Sequence, residues 1–110
     1  MNVYDTVNKL AKELKESPEY TNYKNIKVEI ANNPELKEKM KKFENLRYEA
    51  QLEGLKGENQ EKTKLEEMQK LYAELIQDDT AKKYFDYELK FNVLLADVNK
   101  IIAESVKDVL

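Results

Sequence analysis

The chain has 110 residues, of which 41% are hydrophobic and 37% charged, with a net charge of −3 made of both signs. That length suits one domain, and the mixed charge gives no general attraction to nucleic acid or anionic lipid. The sequence has two Gly, two Pro, no Cys and no His. Few turn residues leave little material for hairpins, and disulfides and thiolate metal sites are excluded.

The first predicted helix runs from about Val3 to Glu16, with Val3, Val7, Leu10, Ala11 and Leu14 at spacings that share one face. Ser17-Pro18-Glu19 is a restart signal: a capping serine, a proline at the first helical position and a glutamate at the positive end. Tyr20, Tyr23, Ile26 (or Lys27) and Ile30 form the stripe of the second helix. Asn33-Pro34-Glu35 repeats the signal and opens a third helix with Leu36, Met40, Phe43, Leu46, Arg47 and Ala50 along one side. Gly54 and Gly57 then end that helix and lead into a polar loop, Glu58 to Lys64.

A fourth helix is expected from about Glu61 to Gln77, with Leu65, Met68, Leu71, Tyr72, Leu75 and Ile76 on one face. Asp78-Asp79-Thr80 is a weaker break in which any of the three could cap. From Ala81 to about Lys107 no Gly or Pro occurs. Tyr84, Phe91, Leu95, Val98, Ile102 and Val109 recur at helical spacing, and Tyr87, Leu94 and Ile101 follow at steps of seven. A helix of ~27 residues is ~40 Å long, against a radius of gyration near ~13 Å for a compact domain of this size. An all-α fold is therefore expected: an elongated antiparallel helical hairpin or bundle in one domain, residues 1–110, dimerising through its extended helices. The residues predicted to carry self-association are Tyr84, Tyr87, Phe91, Leu94, Leu95, Val98, Ile101 and Ile102.

Little points to catalysis. Without His or Cys the usual nucleophile–base pairs lose their main members. The carboxylates Glu66-Glu67, Asp78-Asp79 and Glu35/Glu38 follow no calcium-loop pattern, and adjacent helical carboxylates diverge. Gly54 and Gly57 do not build a phosphate loop. No metal, cofactor or catalytic residue is assigned. Lys37, Lys39, Lys41, Lys42 and Arg47 form a basic cluster that could meet RNA phosphates or a protein partner, with Tyr48 as a stacking surface. Glu35, Glu38, Glu44 and Glu49 interleave with it and suit ion pairs on a solvated helix. No apolar run approaches a membrane span, and the N-terminus lacks a signal-peptide pattern. A cytoplasmic location is the expectation.

The order of segments resembles the YlbF/YmcA/YheA family of small helical bacterial proteins, particularly its YheA-like branch. The likeness rests on Asn2-Val3-Tyr4-Asp5, Asn33-Pro34-Glu35-Leu36 with Phe43, Gly57-Glu58, and above all Leu95-Ala96-Asp97-Val98-Asn99-Lys100-Ile101-Ile102. The resemblance implies a long helical hairpin that dimerises, and a regulatory role. Family members resemble adaptor subunits that influence ribonuclease Y-dependent RNA processing, competence, biofilm formation and sporulation. Some hold an iron–sulfur cluster through cysteines, which this chain lacks, so the cofactor is not carried over. Glu44 and Arg47 stand where an Arg and a Gln are expected in that branch. The leading expectation is a homodimeric interaction protein, with proteins of the RNA-processing machinery as further partners. A direct RNA-binding protein using the Lys37–Arg47 face and a purely structural oligomer subunit remain the alternatives.

Overall fold

The computed structural model describes residues 2–55 and 63–110. The expected loop around Gly57-Glu58, and the expected start of the fourth helix at Glu61, lie outside the described residues. Five helices follow in order: α1 (Val3–Glu16), α2 (Pro18–Ala31), α3 (Pro34–Leu55), α4 (Thr63–Leu75) and α5 (Asp79–Ser105). Among the described residues there is no strand, and the chain is an all-α bundle protein.

Short polar side chains start four of these helices, because each can satisfy a backbone N–H that has no partner in the first turn. Asn2 Oδ1 accepts from the Tyr4 N–H at 2.8 Å, and Asn33 Oδ1 accepts from the Leu36 N–H at 3.2 Å. Ser17 works in both directions. Its Oγ accepts from the Tyr20 N–H at 3.2 Å, opening α2, and its hydroxyl donates to the Leu14 carbonyl at 2.6 Å, closing α1. At the weaker break Asp78 is the cap, with Oδ1 accepting from the Ala81 N–H at 3.0 Å. The last helix thus begins at Asp79 instead of Ala81. Gly54, expected as a terminator, lies inside α3 with open space where a side chain would be.

The contacts divide the chain into two compact units, residues 28–83 and residues 1–27 with 84–110. In the first, α3 and α4 pack antiparallel. Lys39 meets Glu74 at 3.4 Å and Lys64 meets Glu49 at 3.3 Å, so numbers rise on one helix as they fall on the other. Leu36, Met40, Phe43 and Leu46 are buried on α3 and Leu75 on α4. The Phe43 and Tyr72 rings lie 6.0 Å apart. The four α3 residues recur at i, i+4, i+7 and i+10, which turns one side of the helix to the core.

In the second unit an aromatic cluster ties α2 to α5. Tyr20 and Tyr23 approach Phe91 at 6.0 and 5.7 Å between ring centroids, and Tyr23 approaches Tyr84 at 5.7 Å. These pairs run antiparallel. Beyond them burial thins: none of residues 85–110 is buried, and α1 has no buried residue.

Candidate association surface

Intrachain cover falls along α5, and the residues predicted for self-association record that decline. Tyr84 is buried at 8% exposure. Its hydroxyl donates to Glu88 Oε2 at 3.2 Å, and the Tyr23 hydroxyl donates to the same oxygen at 3.4 Å. Tyr84 therefore belongs to the chain's own aromatic cluster. Tyr87, Phe91, Leu94, Leu95 and Val98 are half-buried. Ile101 and Ile102 are 69% and 52% exposed. Isoleucine at that exposure on consecutive positions leaves apolar area in water that a partner could cover, at about 25 cal/mol per Å² removed.

Tyr87 and Leu94 also line a groove of about 590 Å³ within this unit. Pro18, Glu19 and Asn22 of α2 form one wall, and Leu89, Lys90, Val93 and Asp97 of α5 complete the other. Leu89 and Val93 are 63% and 49% exposed, and neither belongs to the set predicted from sequence. At about 100° per residue they lie almost opposite the Tyr84–Phe91–Leu95–Val98 line. The signal was available: between positions 84 and 102 α5 carries apolar residues on every side, the pattern of a helix covered from more than one direction.

The amphipathic face expected for α1 is present, yet Val3 and Val7 stand 75% and 51% exposed and Leu10 and Leu14 are only half-buried. Lys9 and Lys15 lie behind this stripe, to either side, at about 130° and 110° from its centre.

The basic cluster on α3 is not gathered on one side. Lys37 and Lys41 share the face turned from the core, with Glu44 and the exposed Tyr48 beside them. Lys39 and Lys42 lie on the flank toward α4. Lys39 is held by Glu35 at 3.6 Å and Glu74 at 3.4 Å, and Lys42 lines a cavity with Leu46, Glu67 and Leu71. Arg47 stands next to the buried line, its Nη2 donating to both Glu44 carboxylate oxygens at 2.7 and 2.6 Å. Its guanidinium sits 5.3 Å from the Phe43 ring centroid. Glu44 and Arg47, the two departures from the branch pattern, therefore satisfy each other.

Among the described residues no three carboxylates converge as a metal site. Iron–sulfur clusters need thiolate or, in part, imidazole donors. A chain with no Cys and no His does not fit one. No helix among the described residues is long and apolar enough to cross a membrane.

These features define an all-α protein whose distinguishing surface is a set of exposed apolar helix faces. Residues 3–107 match the family described as control of competence regulator ComK, YlbF/YmcA, and the chain belongs to that family. It is a family of regulators. Relatives span nearly the whole chain. The UPF0342 protein of Symbiobacterium thermophilum is 35% identical over 104 residues, covering 94% of this chain and 93% of its own length. That of Caldicellulosiruptor bescii is 32% identical over 106 residues, covering 96% and 89%. That of Bacillus licheniformis is 27% identical over 108 residues, covering 98% and 92%.

Proposed function

We propose that the chain is a cytoplasmic homodimeric adaptor that acts by holding other proteins, and that its target process is ribonuclease Y-dependent RNA turnover. The observation that carries the self-association is the exposure of Ile101 and Ile102 on a helix whose preceding apolar residues are only half covered. Membership of a competence-control family supports the regulatory role, and the RNA-processing partner follows from the family resemblance.

Two measurements test the reading. Light scattering at micromolar concentration should give twice the chain mass, and a stable, well-folded monomer would end the dimer reading. Affinity purification from native cells should recover ribonuclease components. Recovery of RNA without those proteins would instead support direct RNA contact through the Lys37–Arg47 segment. Recovery of the chain alone would support a structural subunit.

A further inference from the structure

We infer that the groove between α2 and α5 is the seat for helix α1 of a second copy of this chain, an assignment that rests on the dimer reading above and deepens it. Three observations fit the two surfaces together. The first is shape. Val3, Val7, Leu10 and Leu14 recur at i, i+4, i+7 and i+11, the anchor spacing of a helix laid into a groove. They span eleven steps, ~16 Å of helix. The α5 wall from Tyr87 to Asp97 spans ten, ~15 Å.

The second is that each surface lacks cover. No residue of α1 is buried, while the groove keeps Leu89 and Val93 largely in water above half-buried Tyr87 and Leu94. A helix this strongly two-sided gains little stability alone, because helix formation in water is supported mainly by packing of the apolar face.

The third is charge. Among the described residues each groove wall carries one carboxylate outside any ion pair, Glu19 on α2 and Asp97 on α5, while Lys90 is held by Asp86 at 3.0 Å. On α1, Lys12 approaches Glu16 at 4.0 Å, and Lys9 and Lys15 remain for a partner, one to each side behind the apolar stripe, where their long side chains can fold forward to the groove walls. Laid antiparallel to the partner's α5, α1 brings Lys9 to Asp97 and Lys15 to Glu19. Glu13, on the Lys9 edge, then faces Lys90. The same register sets Val3 over the exposed Ile101 and Ile102.

The absence of cysteine from the chain makes the test direct. Leu14→Cys is placed in one preparation and Val93→Cys in another; the two are mixed and mildly oxidised. A disulfide-linked species of twice the chain mass, formed between the two variants and absent when Val28→Cys replaces Val93→Cys, is the expected result. In parallel, Lys9→Asp and Asp97→Lys should each raise the dimer dissociation constant about ten- to a hundredfold at low salt, because a twofold dimer holds the exposed pair twice and each turns repulsive. The double variant should return to within about twofold of the original. A chain that remains dimeric by light scattering, yet gives no disulfide between the Leu14→Cys and Val93→Cys variants and no response to either reversal, overturns the assignment of the groove and leaves the dimer standing. A monomer of the unaltered chain removes both. Circular dichroism of each variant shows that a lost link is not lost folding.

Discussion

Phe43 shows how much one side chain can hold in a chain of this size. It is 3% exposed, packs against Tyr72 and carries the Arg47 guanidinium on its ring. Phe43→Ala removes that packing and leaves a cavity, at a cost of about 3–5 kcal/mol. Against a usual total of about 5–15 kcal/mol, the urea midpoint should fall by about a fifth or more. The line containing Phe43 was legible because its helical spacing is unbroken from Leu36 to Leu46. Arg47 was legible only as a neighbour of that line; its pairing with Glu44 depends on side-chain geometry that spacing does not specify. Lys64 gives a second prediction. The hydrogen bond it donates to Glu49, reinforced by that carboxylate's charge and by Glu67, holds its pKa above the ordinary 10.5. The folded chain binds this proton more tightly than the unfolded one, so the stabilisation is fully present below pH 10.5 and is lost as pH rises through the folded value. Glu49→Gln removes the part owed to the Glu49 charge and leaves that of Glu67. In urea titrations the stability gap between the two chains should stay constant from about pH 8 up to the ordinary lysine value and close above it.

At the scale of the helix, Ser17 serves two elements at once. One hydroxyl ends α1 and begins α2, so Ser17→Ala should cost about 1 kcal/mol, seen as a lower thermal midpoint by circular dichroism. Ser17→Asp should keep the α2 cap but cannot donate to the Leu14 carbonyl, so it should recover only part of the loss. Both proline-led starts could be read in advance because Ser or Asn, then Pro, then Glu place three compatible preferences in sequence. Asp78-Asp79-Thr80 could not be resolved that way, since all three residues cap well and only the Asp78–Ala81 geometry decides. Gly54 was misread as a terminator. A lone glycine costs a helix about 1 kcal/mol relative to alanine, and α3 absorbs that cost one residue before its end.

For the molecule as a whole, association and stability are one quantity if the folded chain is a dimer. Raising the chain concentration tenfold adds about 1.4 kcal/mol per dimer, which should lift the thermal midpoint by about 3–5 °C for an assembly of this size. A midpoint independent of concentration would mean that α5 needs no partner to fold. Leu95→Glu should halve the mass seen by light scattering or unfold the chain, because a carboxylate placed in an apolar contact is costly to desolvate. An unchanged mass and unchanged stability would show that the Phe91–Leu95–Val98 line takes no part in the interface, leaving the groove on the opposite side to carry it. The seven-residue repeat on α5 made one apolar line legible in the sequence. The opposite pair, Leu89 and Val93, was overlooked because two residues do not make a repeat; the α2 residues beside them complete the groove only in three dimensions. Which other proteins bind was never legible, since a surface of mixed charge and scattered apolar groups matches many partners.

The bareness of α1 has a consequence for how long a copy of this chain survives in the cell. A helix with no fully buried residue opens at a lower free-energy cost than the core helices, and the opened segment offers Lys9, Lys12 and Lys15 to any protease that reads basic residues. Once seated on a partner, that same stretch is withdrawn from attack. If the chain does pair through α1, solitary copies should be cleared faster than assembled ones, and its abundance would follow the amount that has found a companion.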